Sequence, residues 1–159
     1  MSVSYEFEHD VQTVYETLTE PQFLVDRCSA LGELSAECDA EEAEDGTTTV
    51  KLCREIKRDL PRILAKVFDP VQVMDMTEEW CPDGDGWRGK WTMEVRGQPV
   101  VISASFELVP TVKGCRYTVT HSAKAKVPLI GRKLEKYILG QTSAGATDEL
   151  SYLGEYLGC

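Results

Sequence analysis

Four successive stretches between residues 74 and 127 alternate apolar and polar residues with a period of two, and a pattern of helical period follows them directly. Met74, Met76, Glu78 and Trp80 share one phase. After the turn Pro82-Asp-Gly-Asp-Gly86 come Trp87, Gly89, Trp91, Met93 and Val95, set against Arg88, Lys90, Thr92, Glu94 and Arg96. Gly97-Gln-Pro99 turns the chain into Val100, Ile102, Ala104, Phe106 and Leu108. The last stretch carries Cys115, Tyr117, Val119, His121, Ala123, Ala125 and Val127. Antiparallel strands with one dry face and one wet face have this signature. The chain therefore has to close a one-sided sheet with something apolar, and the candidate is what comes next. From about residue 130 to 157, Leu134, Ile138, Ala146, Leu150, Leu153 and Leu157 drift along one broad stripe, as on a long helix.

The first half supplies the remaining parts. Val3, Tyr5 and Phe7 alternate as an opening strand. Asp10 then reads as the N-cap of a short helix with Val11, Val14, Tyr15 and Leu18 on one face. Pro21 suits the first turn of a second helix carrying Phe23, Leu24, Arg27, Cys28 and Leu31, which Gly32 ends. Leu34, Ala36, Cys38 and Ala40 lead through an acidic turn at Asp45-Gly46 to Val50, Leu52, Arg54 and Ile56, a hairpin. Residues 61–68 make a brief amphipathic segment, stopped by Asp69-Pro70. The expected order is strand, two short helices, six strands and a long helix, in a single domain over residues 1–159 with no internal repeat.

Charge and cysteine content exclude some function classes. A net charge of -10 opposes binding to nucleic acid or anionic membrane. The imbalance is local: residues 1–46 hold thirteen acids and one base, whereas residues 113–136 hold seven bases and one acid. No apolar run approaches the roughly 20 residues of a membrane span, and the first residues lack the basic and apolar regions of a signal peptide. We expect no stable membrane insertion and a cytoplasmic location. The six cysteines form no C-x-x-C, and His9 and His121 are the only histidines, so neither a metal site nor a cofactor is expected. The cysteines read as reduced core thiols, with Cys159 at a frayed end.

Three motifs carry a family resemblance: Asp59-Leu-Pro61; Gly97-Gln-Pro-Val-Val-Ile102 with Leu108-Val-Pro110; and Lys126-Val-Pro-Leu-Ile-Gly131 followed by Lys133-Leu-Glu135. Together with the element order they resemble the START-like (SRPBCC) superfamily, and within it a mostly actinobacterial family with no assigned reaction. Arg132 stands where that pattern has a second glycine. The resemblance implies an α+β helix-grip fold: a curved seven-stranded antiparallel sheet wrapped around the long C-terminal helix, with two short helices after the first strand and an apolar cavity between sheet and helix. Pro128 is then expected to stop ladder pairing, Leu129 and Ile130 to plug the open end of the sheet, and Gly131 to make the turn. Lys133, Glu135 and Lys136 are expected on the solvent side.

The candidate site follows from the inward phase. Three ionisable groups fall there: Arg54, Glu78 and His121. A buried charge needs a partner, so Arg54 and Glu78 are expected to pair across neighbouring strands, as a pocket's polar end or as a structural salt bridge. Met76, Trp80, Trp91, Met93, Phe106, Tyr117, Ile138 and Gly145 complete the expected lining. Gly140, Gly145 and Gly154 lie inside the helix, either to admit a ligand or to pack tightly. The functional expectation is binding of a hydrophobic small molecule or lipid, with no nucleic acid partner. Two alternatives stand beside it: a cyclase- or dehydratase-type enzyme using His121 with Glu78 or Tyr117, and an interaction module whose core is filled. The 61–68 segment, with Lys57, Arg58, Arg62 and Lys66 nearby, reads first as a small packed helix and, as functional alternatives, as a lid or a membrane-touching patch, of which the lid is preferred.

Overall fold

The computed structural model describes residues 1–66 and 68–158, apart from the side chain of Ile63. The expectation for Cys159 and part of the 61–68 segment lie outside the described residues. The elements are β1 (Ser2–Phe7), α1 (Val11–Leu18), α2 (Pro21–Ala30), β2 (Ser35–Glu42), β3 (Thr48–Lys57), α3 (Arg62–Ala65), β4 (Val71–Asp83), β5 (Gly86–Val95), β6 (Val100–Pro110), β7 (Cys115–Ala125) and α4 (Gly131–Tyr156). All seven strands form one antiparallel sheet in the order β1-β7-β6-β5-β4-β3-β2. This is the helix-grip order: each strand from β2 to β7 pairs with the next, and β1 adds to β7.

Local chemistry sets the connections. The Asp10 carboxylate accepts a hydrogen bond from the Thr13 N–H at 2.8 Å and starts α1. Glu20 caps α2 through the N–H groups of Gln22 and Phe23, with Pro21 at the first helical position. Gly32, at φ 88°, turns the chain out of α2 and leaves Glu33 facing β3. These helices bury Val14, Tyr15, Leu18, Phe23, Leu24 and Cys28.

Register explains the interior. One row of paired residues crosses six strands: Ala40, Val50, Glu78, Trp91, Ala104 and His121. A second runs Trp80, Gly89, Phe106 and Val119. Gly89 is required there: a Cβ would sit 2.4 Å from the Phe106 ring and 2.0 Å from the Glu79 carbonyl oxygen. Without it, the Trp80 and Phe106 rings meet at 4.6 Å over the glycine. α4 lies on the inner face, packed mainly on β7 and β1, with Leu134, Leu150 and Leu153 buried. At Gly154 a Cβ would fall 2.6 Å from the Tyr5 hydroxyl, so this glycine serves tight packing. Gly140 and Gly145 face open space.

The β7–α4 joint departs from expectation. β7 ends at Ala125, so Val127 lies beyond the strand, although the Lys126 N–H still bonds the Pro99 carbonyl at 2.9 Å. The Ile130 N–H donates to the Pro128 carbonyl at 2.9 Å, a three-residue γ-turn. Its central residue is Leu129, at φ 70° and fully exposed. Leu129 thus makes the left-handed turn and plugs nothing; Gly131 already belongs to the helix. Glu135 is not free on the solvent side either, because its carboxylate accepts the Ala125 N–H at 2.9 Å and ties the helix start to the strand end.

Candidate functional site

A cavity of about 120 Å³ lies between α4 and the β3–β5 side of the sheet, the side on which α4 does not pack closely. Its apolar wall includes Met74, Met76, Trp91, Met93, Val119 and Leu150. Gly145 opens one wall, since no atom lies within 4 Å of where its Cβ would be. A smaller lobe of about 30 Å³ continues between Leu60, Phe68, Tyr137 and Ile138. Arg58, Met74, Gln141 and Thr142 border both lobes.

One end of the cavity is strongly polar. Arg54, on β3, donates from Nε to Glu33 Oε1 at 2.8 Å and from its terminal nitrogen to Oε2, a bidentate pair. Its other terminal nitrogen lies 3.6 Å from Glu149 Oε1, and Arg27 Nη2 lies 3.3 Å from the same oxygen. Glu149 on α4 therefore joins α2 to β3 through two arginines. Burial works against the Glu149 charge, but Arg27 and Arg54 outweigh it and hold the carboxyl below its usual range. Burial likewise opposes the Arg54 charge, yet Glu149 and Glu33 raise its pKa.

Glu78 behaves differently. Among the described residues no cation lies within salt-bridge distance of it. Burial pushes its pKa up to about 7, against the attraction of Arg27 and the nearby Trp80 N–H. Tyr117 is raised as well, by burial and then by the charges of Glu78 and Glu149. His121 is buried, and burial with the Met1 amino group pushes its pKa down, so the neutral imidazole is favoured.

Two buried polar atoms along this cavity have no protein hydrogen-bond partner, Arg27 Nε and His121 Nδ1, and a third, Trp80 Nε1, has only the Glu78 carboxyl near it, short of a well-formed hydrogen bond. An unsatisfied buried donor or acceptor costs about 1–3 kcal/mol, so two on one cavity, beside a weakly satisfied third, mark a place where something else completes the bonding.

Of the residues singled out in the sequence, Arg54, Met76, Glu78, Trp80, Trp91, Met93, Tyr117, His121 and Gly145 all line the main cavity. Ile138 lines only the smaller lobe, and Phe106 lines neither, being packed under Trp80. Arg54 and Glu78 are not paired. Arg54 stands opposite Met74 and Glu78 opposite Val50, so they are four residues apart along the strands, about 13 Å at 3.3 Å per residue. Sequence reading missed Glu33, Arg27 and Glu149 as partners. The signal was present for two of them: Arg27 sits on the apolar face of α2, and Glu149 falls three residues after Ala146 and four before Leu153, on the inner stripe of α4. Cys28 and Cys115 are buried thiols, whereas Cys38, Cys53 and Cys81 are only half-buried; all five are unbridged.

The fold is that of a START-like protein. A START superfamily protein from Mycobacterium smegmatis superposes with a TM-score of 0.60 at 14% identity, over 99% of this chain and 97% of that one. A conserved protein from Geobacillus kaustophilus gives 0.59 at 21% identity, covering 98% and 91%, and a Mesorhizobium loti protein 0.59 at 16%, covering 99% and 95%. The chain belongs to the family described as "Protein of unknown function (DUF2505)", which matches residues 2–157. No protein of curated function matches it significantly. Among the described residues no helix is long and apolar enough to cross a membrane.

Proposed function

We propose that this protein binds a hydrophobic small molecule or lipid in the cavity between sheet and α4, as a cytoplasmic binding protein. The observation that carries this reading is the pair of unpartnered polar atoms on Arg27 and His121, which line a space whose apolar wall is built largely of Met and Trp. Methionine and tryptophan walls adapt to varied apolar shapes, and a few placed polar groups orient the guest. At about 120 Å³ the cavity is below the 300–1,000 Å³ of a drug-sized pocket. The guest is therefore small, or α4 moves away at its glycines to admit a longer one. Five unbridged thiols suit a reducing compartment. Mass spectrometry of the purified protein, native and then denatured, tests the reading: a co-purifying small molecule supports it. An apo mass combined with no uptake of any hydrophobic probe overturns it.

A second reading is favoured by one specific observation. Glu78, with its pKa near 7, and a neutral buried His121 line the same cavity, which is the pairing a cyclase or dehydratase needs for acid–base work at neutral pH. Replacing His121 with Gln separates the two: a binder loses no more than the roughly tenfold in affinity that one hydrogen bond is worth, whereas an acid–base enzyme loses about 10²–10⁴-fold in turnover.

A further inference from the structure

We propose that the molecule held in the cavity is a small apolar carboxylic acid, whose carboxylate is gripped by Arg58 where the two lobes meet. The proposal rests on the binding reading above and adds the charge and head group of the guest.

An inventory of the arginines leads there. Three guanidinium groups border the main cavity: Arg27, Arg54 and Arg58. Arg27 is paired with Glu149, and Arg54 with Glu33 and Glu149. The Arg58 side chain has no ion-pair or hydrogen-bond partner among the described residues, although the residue is only half-exposed and its backbone N–H is bound to the Pro70 carbonyl at 2.8 Å. It is also the one arginine of the three that borders both lobes. Its neighbours there are Leu60, Phe68, Met74 and Ile138, an apolar setting in which a bare guanidinium is costly and a bidentate carboxylate is its best complement.

Charge balance agrees. Three guanidiniums face two carboxylates that pair with Arg27 and Arg54, Glu149 and Glu33, so the Arg58 charge has no paired carboxylate. Glu78, shifted toward its protonated form by burial, offsets it only in part, and a bound monoanion completes the balance. Burial and then the like charge of Arg54 depress the pKa of Arg58, an effect that a carboxylate beside it counters. The approach is charged to match. Residues 57–66 hold Lys57, Arg58, Arg62 and Lys66 against the single acid Asp59, in a chain whose net charge is -10, so this segment attracts anions that the acidic residues 1–46 repel.

The test uses three eight-carbon probes on the intact protein at neutral pH and low salt: octanoate, methyl octanoate and 1-octanol. Binding is followed by the fluorescence of Trp80 and Trp91, which line the cavity, and by backbone amide NMR shifts. The expected result is octanoate at least tenfold tighter than either uncharged probe. Arg58→Gln is expected to bring octanoate down to the level of 1-octanol while leaving 1-octanol unchanged, and Arg58→Lys to keep part of the preference. Equal binding of all three probes overturns the carboxylate proposal and leaves the cavity reading standing. A preference that survives Arg58→Gln overturns the assignment to Arg58. Failure of every probe to bind overturns the cavity reading and the proposal together. The acid–ester comparison needs no variant, so it decides the matter even if Arg58→Gln folds poorly.

Discussion

Glu78 is the residue whose environment most determines behaviour at neutral pH. Its folded pKa near 7 lies above its ordinary 4.5, so folding favours the protonated acid. The contribution to stability is fully present below about pH 4.5 and is lost as pH rises through 7, where the ionised buried group costs on the order of 3 kcal/mol. His121 works in the opposite direction, because its pKa is lowered by burial and its protonation is resisted. Comparing variants isolates Glu78: Glu78→Gln, neutral at every pH, is expected to melt near the wild type at pH 5 and several degrees above it at pH 8. Thermal melts at the two pH values check this, and parallel profiles would mean that Glu78 does not titrate near 7.

At the scale of elements, α4 does two jobs along one length. Its C-terminal part grips the sheet through Gly154 against Tyr5, while its middle part leaves space at Gly145. Alanine separates these jobs. Gly145→Ala is expected to raise stability by up to about 1 kcal/mol through helix propensity, at the expense of cavity room. Gly154→Ala is expected to lower it by about 1–3 kcal/mol, because tyrosine or helix must shift to admit the methyl group. Urea unfolding of the two variants gives the comparison, and equal effects would contradict it. The joint before α4 shows the same division of labour. A γ-turn at Leu129 and the Glu135 bond to Ala125 fix how the helix leaves the sheet, and neither is visible in a hydrophobic pattern.

At the scale of the whole molecule, the chain Glu33–Arg54–Glu149–Arg27 ties α2, β3 and α4 together around the cavity. Removing one partner of a buried pair leaves an uncompensated charge, so Glu149→Gln is expected to cost about 3–5 kcal/mol in urea unfolding. The exposed Lys90–Glu79 pair, at 4.0 Å, serves as a control: Lys90→Ala is expected to change stability by less than about 1 kcal/mol. Equal losses from the two substitutions would show that the network is not buried in effect.

The order of the elements was legible in the sequence because each rests on local chemistry. Period-two runs such as Trp87 to Val95 make one-sided strands, Asp10 and Pro21 start helices, and the apolar stripe from Leu134 to Leu157 makes the long helix. The inward phase was legible for the same reason, and it delivered nearly all of the cavity lining. What only the tertiary structure decided is which inward charges meet. Arg54 and Glu78 share a face on adjacent strands, yet a register offset of four residues keeps them apart. Glu78 and His121 stand three strands apart in one row, about 14 Å on a flat sheet, and border one cavity because the sheet curls around α4. Glu149 reaches Arg27 and Arg54 from more than ninety positions away. Register, curvature and helix placement are set by the sum of long-range packing over the whole chain, which no short window of sequence contains.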